Sequence, residues 1–116
     1  DGLRFAFARE LAWRTPAKLG RALELELYGP PWTPWVLFAA LARAPSDLWT
    51  SHGPWRLDPA STFRAASGRF CANGLALVAF AVPADPALLG QALHWQAAVG
   101  VPARLTGVET TRIFGF

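Results

Sequence analysis

The residues able to move protons or bind metals are few: His52, His94, Cys71 and a thin set of carboxylates that includes Asp47, Asp58, Asp85 and Glu109. Hydrolysis needs a nucleophile beside a base, or two carboxylates held at working distance. The spacing supplies neither. Asp85 precedes Pro86 and is placed to cap a helical turn, and Asp58, before Pro59, reads as a turn former. His52 lies in a Ser-His-Gly-Pro loop where turn chemistry accounts for it, and His94 falls on the outward parity of its segment beside Gln96. A zinc site needs three or four clustered ligands, and two distant histidines with one cysteine fall short. The expectation is therefore no enzyme, no metal and no cofactor.

Tryptophan offers a different chemistry. Trp32, Trp35, Trp49 and Trp55 lie in or beside Pro- and Gly-rich loops. Exposed indole rings stack on sugar faces, with Asp and His supplying hydrogen bonds, so a carbohydrate-binding module is one reading. The plainer reading is that Trp35 and Trp55 plug the ends of a core.

The elements that would position these side chains are short. Ten Pro and ten Gly break 116 residues into segments of strand length, which argues for many strands joined by turns. Leu23-Glu24-Leu25-Glu26-Leu27-Tyr28 alternates as a half-buried strand should. Residues 35–41 and 75–82 are apolar on both faces, and Asn73-Gly74 before the second is a strong hairpin-turn signal. In VPADPALLGQALHWQ, Asp85 suits an N-cap, Pro86 the first helical position and Gly90 the C-cap, after which the period changes to that of a strand. Residues 108–116 are rich in β-branched and aromatic side chains and read as a last strand. The predicted fold is all-β, a Greek-key-like β-sandwich of about seven to nine strands with one short helical turn.

Composition narrows the class further. Hydrophobic residues make up 53% and charged residues 16%, against roughly 25% charge in ordinary soluble domains. The net charge of +3 comes almost wholly from arginines spread along the chain, without the basic stripe of a nucleic-acid binder, and no apolar run approaches the roughly 18 residues of a membrane span. A single cysteine cannot form an intrachain disulfide. The chain contains no methionine, so an N-terminal segment, a signal peptide or a larger upstream region, is expected to have been removed.

The order of Leu19-Gly20 through Pro30, Gly53 through Asp58, Asn73-Gly74, and Val82 through Gln96 with its D-P-A-L-L-G-Q segment resembles a β-sandwich module of predicted secreted proteins from planctomycetes, myxobacteria and similar GC-rich bacteria. The resemblance covers residues 19–116 and departs at Leu105-Thr106-Gly107, where such modules carry Ser-Asn-Gly. It implies export and an extracellular or cell-surface role, and no activity.

Outside that module, residues 1–17 read as an extended N-terminal arm ahead of a domain at 18–116. A helix over LRFAFARELAWR competes with the strand reading, because Leu3, Phe7 and Leu11 also recur at helical spacing. As a strand, the arm presents Leu3, Phe5, Phe7, Leu11 and Trp13 on one side. With Val36, Phe38, Val78 and Phe80 on the doubly apolar strands, these residues form the expected subunit interface, because one small core cannot use so much apolar surface. The expected function is a non-enzymatic structural subunit that self-associates as a homo-oligomer or homopolymer, into a filament by strand addition, with glycan binding as the alternative.

Overall fold

A computed structural model of the chain describes residues 11–15 and 17–115. The fold is all-β, with eleven strands among the described residues where about seven to nine are predicted for the chain, and one 3₁₀ turn at Pro86–Leu88. The surplus consists of short pieces, β2 (Ala17–Lys18) and β10 (Arg104–Leu105), which periodicity cannot detect because they are two residues long, while β1 (Leu11–Trp13) falls in the segment read as an extended arm.

Two sheets pack face to face. In the smaller, β3 (Ala22–Tyr28) lies between β1 and β8 (Leu75–Ala81), in the register Leu11↔Leu27 and Leu25↔Val78. The larger runs β2, β11 (Glu109–Phe114), β9 (Ala92–Val99), β4 (Pro34–Ala40), β7 (Phe63–Arg69), with β10 also pairing β9. The chain crosses repeatedly between the sheets, giving the Greek-key connectivity of immunoglobulin-type sandwiches. Leu23, Leu25 and Leu27 point inward from one sheet to meet Leu37, Ala39, Leu93, Trp95 and Ala97 from the other, and all are buried. Glu24 and Glu26 take the opposite face of β3, as the alternation requires.

A third layer explains why β4 is apolar on both faces. Strands β5 (Arg43–Thr50) and β6 (Gly53–Leu57) form a hairpin over the outer side of the larger sheet. Trp55 meets Phe38 edge-on at 5.1 Å between ring centroids. Gln96 beneath the hairpin is fully buried: its Oε1 accepts from the Arg56 amide at 3.0 Å, and its Nε2 donates to the Pro54 and Thr106 carbonyls at 2.9 Å each.

The Asn73-Gly74 turn forms, but the strands it joins do not pair with each other. β7 pairs β4 and β8 pairs β3, so the turn carries the chain from one sheet to the other. Gly74 has φ +74°, and a Cβ there would lie 2.5 Å from the Gly29 carbonyl oxygen, so no other residue fits without displacing the backbone. The 3₁₀ turn follows the predicted chemistry. Asp85 caps it by accepting from the Ala87 amide at 3.0 Å, and Gly90 beyond it has φ +80°.

Candidate functional site

The ionisable residues are dispersed, and several have structural tasks. Asp47 meets Arg56 at 3.3 Å across the hairpin, and Asp58 accepts from the Ala60 amide at 3.2 Å in the turn before β7. His52 at the hairpin tip lies 3.0 Å from the Ala103 carbonyl through Nδ1. On the smaller sheet Arg14 pairs with Glu26 at 3.0 Å, and the Tyr28 phenol donates to the same carboxylate, a bond that raises its pKa above the usual 10. Cys71 is exposed. Among the described residues no three His, Cys, Asp or Glu side chains gather where they could hold a metal ion, and no helix is long and apolar enough to cross a membrane.

His94 has a perturbed ionisation. Its Nδ1 lies 2.9 Å from Thr110 Oγ1, and its pKa is lowered by partial burial first, then by the charges of Arg43 and Arg112. A histidine whose folded pKa is depressed adds stability that is present above the ordinary value near 6.5 and is lost as pH falls through the folded value. The midpoint of denaturant unfolding is therefore expected to drop between pH 7 and pH 5. His94→Gln should flatten that part of the profile, and an unchanged slope in the variant would assign the drop to other groups.

The four loop tryptophans separate into two pairs. Trp35 is buried against Gly68, and Trp55 is half-buried against Phe38. Trp32 and Trp49 remain 65% and 77% exposed, and Trp32 is held at φ +64°, a conformation uncommon for a bulky residue. Beside Trp32, the 29–33 and 99–104 loops enclose a cleft of about 360 Å³.

The expected interface residues also divide. Leu3, Phe5 and Phe7 lie outside the described residues. Leu11 is buried within its own sheet and Trp13 stands at its edge, both in β1 and paired to β3 of the same chain. Val36 and Phe38 are half-buried on the outer face of β4, with Phe38 under the hairpin. Val78 and Phe80 face the core, Phe80 meeting Trp95 edge-on at 5.3 Å, while the outward residues of β8 are Leu77, Ala79 and Ala81.

What the periodicity does not expose is an apolar opening at one flank of the sandwich. β8 pairs with β3 alone, so its other side is an open edge. Beside its Phe80 end lies a cavity of about 140 Å³ whose lining includes Leu41, Phe63, Phe80, Leu88, Leu93 and Ile113. Leu41, Phe63, Leu88, Leu93 and Ile113 come from separate segments, which only the folded topology brings together. Farther along the same flank, the Trp35 indole N–H is buried and, among the described residues, has no hydrogen-bond partner; it lies against Gly68 of the edge strand β7.

No protein-family model matches the chain, and no curated protein is significantly similar to it. Among solved structures, the chain is similar to the Pseudomonas fluorescens alkylpurine DNA glycosylase AlkC bound to DNA containing an abasic site analog, at 15% identity and a TM-score of 0.38. The overlap covers 96% of this chain and 32% of that one, so this chain spans about a third of the glycosylase's length, and the likeness is too loose to transfer any chemistry.

Proposed function

We propose that this chain is a non-enzymatic, secreted structural subunit that self-associates through its N-terminal arm, by strand addition to a neighbouring copy and into an open-ended assembly. The observation that carries the reading is the open edge of β8 with an apolar cavity beside it, in a chain whose arm offers Leu3, Phe5 and Phe7 at strand spacing. The resemblance of residues 19–116 to a secreted bacterial β-sandwich module supports export. With Leu11 and Trp13 committed to the chain's own sheet, the donor segment shortens to three large side chains. Their burial contributes about 4.5–9 kcal/mol in all, before an association cost of at least about 4 kcal/mol. The contact is therefore reversible and concentration-dependent.

A variant lacking residues 1–10 keeps every described strand, so it isolates the arm. The full chain should form particles that grow with concentration by light scattering and appear as polymers in electron micrographs, while the shortened variant stays monomeric with unchanged far-ultraviolet circular dichroism. Identical monomers in both cases would end the assembly reading. The exposure of Trp32 and Trp49 favours the carbohydrate-binding alternative, which gains if the full chain is monomeric and binds a glycan array in a manner abolished by Trp32→Ala or Trp49→Ala.

A further inference from the structure

Resting on that reading, we infer that the acceptor is the open edge of β8, where residues 3–7 of a second copy add as a strand and place a phenyl ring in the cavity between Phe63 and Leu93.

The first argument is elimination among edges. An exposed strand edge is normally blunted by brevity, charge, proline or a bulge. β1 and β2 are three and two residues long. β7 carries Arg64 and Arg69, and its pairing with β4 shifts register between Leu37 and Phe38. β8 has none of these protections: seven residues, Leu-Ala-Leu-Val-Ala-Phe-Ala, in unbroken register with β3 and with neither charge nor proline. Leu77 on its outer face is 57% exposed. It is the one long, unguarded edge among the described residues.

The second argument is fit. A dry cavity of about 150 Å³ lined by Leu, Ile and Phe is large enough for a benzene ring. The cavity here measures about 140 Å³ and presents only apolar atoms. β8 directs Ala76, Val78 and Phe80 inward, so a strand beside it in the same pleat has three inward positions, matching Leu3, Phe5 and Phe7.

The third argument fixes the occupant as a second copy. The chain enters β1 at Leu11, opposite Leu27, on the side of β3 away from β8. The cavity opens at the other end of the sheet, beside Phe80, which pairs with Leu23. To fill its own cavity the arm would have to double back and cross the sheet, whereas donor and acceptor at opposite ends give a head-to-tail contact that repeats from copy to copy.

Cysteine trapping tests this without altering Leu3, Phe5, Phe7 or the cavity lining. In a Cys71→Ser background, full chains carrying Ala6→Cys are mixed with full chains carrying Leu77→Cys or Ala79→Cys, which place thiols on the outer face of the added strand and of β8. The expected result is an intermolecular disulfide on mixing, at least tenfold above that of the Leu77→Cys or Ala79→Cys protein alone. A chain carrying Ala6→Cys and Leu77→Cys together should form disulfide ladders rather than an internal bond. As a second measurement, Leu77→Lys should cut the assembled fraction at least tenfold at fixed concentration. Absence of the cross-link and indifference to Leu77→Lys, in chains that still polymerise through residues 1–10, would overturn the acceptor and leave the self-association reading standing. An internal disulfide that persists on dilution would overturn the second-copy occupant. Monomeric chains throughout would remove both.

Discussion

Trp95→Ala is expected to cost about 3–5 kcal/mol, bringing the domain close to unfolding at room temperature. Trp95 is fully buried on β9, between Ala39 of β4 and Glu109 of β11 in register, so it occupies the middle of the larger sheet and reaches across to the smaller one. There Phe80 meets it edge-on at 5.3 Å, an aromatic pair that contributes about 0.5–1.5 kcal/mol beyond its area. Its Nε1 donates to Thr111 Oγ1 at 3.0 Å in a buried bond, so truncation opens a cavity and also leaves a buried hydroxyl without its donor. Domains of this kind are stable by only about 5–15 kcal/mol, so this one side chain controls a large share of the total. Urea unfolding followed by circular dichroism measures the loss. Trp95→Phe separates the parts: it keeps a ring in the core and removes the donor, and should cost about 1–3 kcal/mol. A loss under about 1 kcal/mol for the alanine variant would mean that the sheets close over the gap.

The same neighbourhood shows which parts of the molecule can be read from residues in order. The alternation from Leu23 to Leu27 fixes the inward face of β3 by itself, because a period of two has one solution when the polar partners are Glu24 and Glu26. The Asp85, Pro86 and Gly90 signals are equally local, since a cap, a fixed φ and a positive φ depend on neighbours within five residues. The Asn73-Gly74 turn is local too, but its consequence is not. The chain reverses there in the same way whether the flanking strands pair with each other or with β4 and β3, and long-range register decides between those outcomes. Residues 35–41 demand a cover for their second face, yet nothing in the pattern says whether that cover is a partner or the 43–57 hairpin, whose alternation is interrupted by Ala44, Pro45 and Ser46. For β8, being apolar on both faces leaves parity undecided. The pairing Leu25↔Val78 turns Val78 inward and Leu77 outward, and the strand order leaves its edge open. The cavity at that edge draws on segments as far apart as Leu41 and Ile113, so no window of sequence could display it.

Gln96 is where outward parity and burial part company, and it supports the second large prediction. Its parity on β9 is that of a surface residue, but the hairpin lies over it, and its amide answers three main-chain groups at Arg56, Pro54 and Thr106. Gln96→Leu preserves most of the volume and removes all three bonds. Each buried polar group left unpaired costs about 1–3 kcal/mol, so three of them under a seated hairpin cost about 3–9 kcal/mol, against which lifting gives up the Phe38–Trp55 ring pair and the contacts of His52 with Ala103 and Leu105. The cheaper response is local release. Amide exchange at Arg56 and along β6 should accelerate at least a hundredfold, equivalent to about 2.8 kcal/mol at 1.4 kcal/mol per factor of ten, while the amides of β3 keep their protection. The same variant should gain protease cleavage within 43–57 and lose less in global unfolding than Trp95→Ala. Gln96→Glu tests the cause. An ionised carboxylate can still accept from Arg56 but can donate to neither carbonyl, so its exchange rates should fall between the wild type and Gln96→Leu, and approach the wild type as acid restores one donor. If Arg56 remains as protected in Gln96→Leu as in the wild type, the hairpin is held by its packing on Phe38 and the amide bonds are incidental.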